Sequence, residues 1–135
     1  MNLKDFRDYL KELNTLEDFG LENFYVGSLD NKKEKSVLVR SLKYGNINDK
    51  LAIGQLKSYK TLEISLLLHI SKDYNTTEEI SNKIFNYLLN NYSKSFNLKD
   101  YKIHFIKLLS NNEDVGRDNN SNIFERVIEL QLYYN

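Results

Sequence analysis

Every even position from Leu62 to Ile70 is apolar: Leu62, Ile64, Leu66, Leu68 and Ile70. The odd positions carry Glu63, Ser65, Leu67, His69 and Ser71. Side chains of a strand alternate sides, so this period of two predicts a long strand with one buried face and one mostly wet face. A turn is expected at Ser71–Asn75. Thr76 and Glu79 then stand in the spacing of a capping box, where hydroxyl and carboxylate satisfy each other's free backbone N–H groups. The helix beyond places Ile80, Ile84, Tyr87 and Leu88 on one side. A strand feeding straight into a capped helix, from Thr61 to Tyr92, is the pair against which the rest of the chain has to pack.

Leu3, Phe6, Leu10 and Leu13 recur at helical spacing between charged residues, and Asn2 suits the N-cap. Asn14–Gly20 reads as a connector docked by Leu16 and Phe19. Asn23–Leu29 and Ser36–Leu42 read as two strands of a hairpin around the charged loop Asp30–Lys35, with Gly27 marking a bulge or a close backbone approach. Lys43–Lys60 is irregular, with Gly45 and Gly54 and room for a short strand at Lys50–Ile53; such loops tend to be functional. Ser93–Asp100 returns the chain. Tyr101–Leu109 carries Ile103 and Phe105 on one side and His104, Ile106 and Leu108 on the other, the pattern of a strand inside a sheet. Ser110–Asn122 is a turn-rich connection. Ile123–Tyr134 alternates Phe124, Ile128, Leu130, Leu132 and Tyr134 with Glu125, Glu129, Gln131 and Tyr133, and is expected to pair with Tyr101–Leu109. The order of helix, hairpin, strand, helix and hairpin predicts one α+β domain over residues 1–135. Its sheet is expected to be largely antiparallel, of about four to five strands, with two main helices packed on one face.

Lys plus Arg and Asp plus Glu number 19 each. That balance argues against a protein that works by neutralising a phosphate backbone. Cysteine is absent, which excludes disulfides, thiolate metal sites and cysteine nucleophiles. No apolar run approaches the ~20 residues of a membrane span. Met1–Leu13 is charged and amphipathic rather than a secretory leader, so cytoplasmic synthesis is expected.

The residues that could carry chemistry do not converge. His69 and His104 lack a carboxylate or second histidine at metal-ligand spacing and read as structural or surface histidines; they could approach only if their strands were neighbours. Glu125 and Glu129 share a strand face, but a solvated face does not separate two acidities as acid–base pairs require. The five glycines form no phosphate-binding pattern, and no serine sits in a nucleophile elbow. Lys32, Lys33 and Lys35 are interrupted by Glu34 and follow Asp30, which suits a solvated loop better than a nucleic-acid site. No enzyme, metal or cofactor is expected; binding or assembly through loops and aromatic strand ends is.

Three pieces of the chain, in order, resemble a known family. The first is Phe24-Tyr25-Val26-Gly27-Ser28-Leu29-Asp30-Asn31-Lys32-Lys33-Glu34-Lys35. The second joins Ile53-Gly54-Gln55, Ser58-Tyr59 and Leu66-Leu67-Leu68-His69-Ile70. The third, the most specific, is Asp114-Val115-Gly116-Arg117-Asp118 followed by Ile123-Phe124-Glu125-Arg126-Val127-Ile128-Glu129 and Tyr133-Tyr134. Together they resemble the small minor capsid, or tail terminator, proteins of long-tailed phages of Gram-positive bacteria. Gln55 departs from the pattern, which has a second glycine there.

The resemblance implies a structural virion protein: an α+β subunit of a hexameric ring that caps the head-proximal end of the tail tube, stops its polymerisation and offers the head-tail joining surface. Its partners would be copies of itself, the tail tube protein and the head-tail connector protein. It implies no membrane and no specific nucleic-acid binding, with DNA passing through the ring, and a place in the virion after synthesis in the bacterial host. Similar caps serve phage-tail-like bacteriocins, and a head-completion or connector protein of the same particle is the nearest alternative. A small phage enzyme such as a nuclease would need the acidic or histidine cluster that is lacking. A closed ring needs a head-to-tail contact. Asp30, Lys32, Lys33 and Lys35, Gly54, Gln55 and Tyr59, and Asp114, Gly116, Arg117, Asp118 and Arg126 are the candidate interface residues. Gly116 is expected at positive φ. Arg117 with Asp118, or Arg126 with Glu125, are candidate charge pairs across the contact.

Overall fold

The computed structural model describes residues 1–42 and 59–135. Two helices and seven strands follow one another: α1 (Leu3–Glu17), β1 (Asn23–Val26), β2 (Ser36–Ser41), β3 (Lys60–Ser71), α2 (Tyr74–Asn91), β4 (Phe96–Leu98), β5 (Tyr101–Leu108), β6 (Glu113–Arg117) and β7 (Phe124–Tyr134). The strands form a single mixed sheet in the order β1-β2-β3-β7-β5-β4, with β6 continuing the β5 edge along the first half of β7. The α+β class is as expected, but the sheet is larger than four to five strands. Two short strands, β4 and β6, account for the difference, since each is fixed by its neighbour rather than by its own alternation.

The even residues of β3 and β7 meet both helices in one core. Ile64, Leu66, Leu68 and Ile70 lie beside Ile128, Leu130 and Leu132 in the antiparallel β3–β7 pair. Phe6, Leu10 and Leu13 of α1 and Ile80, Ile84 and Leu88 of α2 join the same cluster. Removing this much apolar surface from water supplies the main driving force for folding. Asn2 caps α1 as expected: its side chain accepts from the Asp5 N–H, and the Asp5 carboxylate accepts from the Asn2 N–H at 2.9 Å. α1 runs on through the predicted connector to Glu17, and Phe19 docks while Leu16 remains 80% exposed.

Several expectations are corrected. β1 and β2 do not form a hairpin; they are parallel, with Asn23 beside Ser36 and Val26 beside Val39. Gly27, at φ +88°, ends β1 with open space around it. The chain then doubles back, so that the Lys35 N–H reaches the Ile70 carbonyl at 2.7 Å and β2 starts where β1 started. α2 begins before the predicted capping box: Asp73 is the N-cap, and its carboxylate accepts from both the N–H and the hydroxyl of Thr76. In β5 a register shift between Ile103 and Phe105 puts Ile103 and Ile106 into the core and leaves Phe105 38% exposed. β5 does lie inside the sheet, between β7 and β4. The odd face of β3 is not wet: Glu63, Ser65 and His69 are all buried.

Candidate interaction site

Four chain segments meet at the end of the sheet where β3 stops and β2 and β7 start. The first is the loop 27–35. The Lys32 N–H is bonded by the Asp30 side chain and the Lys33 N–H by the Asp30 carbonyl, which folds a tight turn. Below the turn, the Ser36 hydroxyl donates to the Lys33 carbonyl and the Asn23 amide to the Glu34 carbonyl. These bonds leave Lys32 and Lys33 exposed, while Lys35 lies 3.8 Å from Glu22.

His69 sits beneath this loop and is fully buried. Its Nε2 is 2.7 Å from the Asn31 carbonyl and its Nδ1 is 2.8 Å from Glu125 Oε2. Glu125, expected on a solvated face, is therefore a partner of a buried imidazole. His69 and His104 do not approach, because β7 separates their strands. His104 lies near the opposite end, where its ring meets Tyr59 at 4.5 Å and its Nε2 meets Asn135.

The turn after β6 is the third segment. Asp118 accepts from the Asn120 N–H and the Ser121 hydroxyl, and these bonds, the Asn120 one foremost, hold its carboxyl below the usual carboxylate range. The nearby His69 and the Asn31 side chain act in the same direction with smaller weight. Asn31 thus bonds His69 through its carbonyl and lies near Asp118. Just upstream, Gly116 has φ +89° at a register shift against β7, and nothing crowds the place a Cβ would occupy. The Asp114 carboxylate accepts its N–H.

The fourth segment is the start of α2, on the other face of the sheet. Asp114 also accepts from the Tyr74 hydroxyl, which accepts in turn from Arg126 at 3.0 Å. Arg126 is buried, lies 3.6 Å from Glu78 and stacks 5.5 Å from the Tyr74 ring centre. Within one subunit it does not pair with Glu125, because neighbours in a strand point to opposite faces.

Of the sequence-derived residues, Asp30, Lys32, Lys33, Lys35, Asp114, Gly116, Arg117, Asp118 and Arg126 share one end of the molecule. Tyr59 is at the other end. Gly54, Gln55 and the possible strand at Lys50–Ile53 lie outside the described residues. His69, Asn31 and Tyr74 are the connecting residues that sequence reasoning missed; a histidine and a glutamate on the same face of two strands was the available signal for the first. Among the described residues no group of His, Asp and Glu could hold a metal ion, and no described helix is long and apolar enough to cross a membrane. No protein-family model matches the chain, and no curated protein matches it.

Proposed function

We propose that this chain is a structural virion protein, a ring-forming tail terminator that caps the head-proximal end of a tail tube and presents the head-tail joining surface. The observation that carries this reading is the meeting of two of the three family-like segments. Asp30–Lys35 and Asp114–Asp118 are far apart in sequence, yet they meet at His69: the Asn31 carbonyl bonds its Nε2, and Asp118 lies nearby. A loop pair held on a rigid sheet end is the kind of surface on which an assembly contact is built.

In this reading the subunit works by shape. Lys32, Lys33 and Arg117 are exposed and free to face a neighbouring subunit, the tube protein or the connector. Arg126 supports the surface from below, holding Tyr74 and hence Asp114. Each subunit contact in a hexameric ring would bury on the order of 1,000–2,000 Å² in total. Tyr59, at the other end, belongs to a second contact in this scheme.

Electron microscopy of particles made without this protein tests the proposal. Tails of uncontrolled length are expected. Tails of correct length with unattached heads would instead assign the protein to head completion, and particles of normal form would remove it from assembly altogether.

A further inference from the structure

The buried contacts of His69 do not close with a neutral ring. The Asn31 carbonyl only accepts, so Nε2, 2.7 Å away, must carry a hydrogen. A neutral imidazole has no second N–H, and Nδ1 would then turn a lone pair toward Glu125 Oε2 at 2.8 Å. An ionised carboxylate is also acceptor-only, so two lone pairs would face each other with no water to part them. The set closes with one more proton between Nδ1 and Oε2, whichever atom it rests on.

We propose that this shared proton is a latch that holds the 27–35 loop against the sheet. Without it, the ring can serve Glu125 or Asn31 but not both. Glu125 is fixed by β3 on one side of β7 and by β6 on the other, whereas Asn31 sits on a loop, so the bond to Asn31 is the one that yields. Among the described residues, Glu125 from β7 and Asp118 from the turn after β6 are the charged groups facing the ring, and both are acidic. Ser36, the β2 neighbour of His69, is neutral. The docked loop therefore holds one proton more than the released loop, and docking weakens as pH rises.

The inference is independent of the role in tail assembly. It changes what the exposed Lys32 and Lys33 can do in any complex, because the loop that carries them would be ordered in a proton-dependent way.

NMR of the full chain with labelled histidine and glutamate, followed upward from about pH 6, tests it in the wild type and in Glu125→Gln. In the wild type, Nε2 and one of Nδ1 and the Glu125 carboxyl should be protonated whenever the Asn31–Lys33 amides show the docked position. Once the pair loses that shared proton, the released population should rise about tenfold per pH unit. In Glu125→Gln the side-chain amide can donate to Nδ1, so the loop should stay docked over a neutral ring. A docked loop over a neutral wild-type ring beside an ionised Glu125 would overturn the latch, as would a Glu125→Gln loop that releases with the wild-type pH dependence. The wild-type titration stands by itself if the variant does not fold.

Discussion

On the helix side of β3, Ile64, Leu66, Leu68 and Ile70 are sealed from water by α1 and α2; on the other side of the same strand Glu63, Ser65 and His69 are almost as deeply buried. The first face is held by contact and volume, and any well-fitting apolar side chain serves it. The second is held by hydrogen bonds between named partners. Gln131 donates to Glu63 at 2.9 Å and accepts from the Tyr133 hydroxyl, and His69 bridges Glu125 and Asn31. Such sets contribute little when whole and cost a great deal when one member is lost. The apolar face should therefore tolerate gradual change, and the polar face should fail one partner at a time.

Leu66→Ala is the largest expected effect. The side chain is fully buried, and its removal should cost about 3 kcal/mol, read as a lower urea midpoint at unchanged slope. Gln131→Leu probes the opposite face with similar volume. It leaves the Glu63 carboxylate and the Tyr133 hydroxyl each short of one partner, and a loss of about 2 kcal/mol is expected by the same assay. A neutral result there would erase the distinction between the faces.

Gly116→Ala lies outside both faces and should cost about 1 kcal/mol through its positive φ alone, since no atom crowds the added methyl. Equal losses for Gly116→Ala and Gln131→Leu would mean that the polar network contributes no more than backbone strain.

The smallest effect is expected at the exposed cluster of Asp5, Asp8 and Lys99. The Asn2 N–H first, then the Lys99 ammonium, hold the Asp5 carboxyl below its ordinary range; Arg7 first, then Lys99, do the same for Asp8. Stability from these lowered carboxyls is present above the ordinary carboxylate range and is lost as pH falls through the lowered values. Lys99→Ala should move both carboxyl titrations upward by NMR and leave the urea midpoint nearly unchanged. A large midpoint shift would mean that surface charge, and not burial, sets the scale.

The long periodic elements were legible in the chain itself. Leu62–Ile70, the two helices and Ile123–Tyr134 were read with the correct type, because each carries its own repeating pattern. The parallel β1–β2 pair was not, since Gly27 and the return to Lys35 make a crossover that local pattern cannot tell from a hairpin. β4 and β6 were missed because three and five residues are too few to show a period, and β6 is mostly charged. The charged loop and Asp114–Asp118 were singled out, but their meeting was not. It depends on His69, which a period of two assigns to a wet face until β7 and the loop are laid over it.

β7 stands last among the described strands and yet occupies the middle of the sheet, between β3 on one side and β5 with β6 on the other. Without β7, the described strands fall into β1-β2-β3, β4-β5 and an unpaired β6, with no strand to join them. Such a sheet closes all at once when β7 slots in, and until then its open edges invite pairing with other chains.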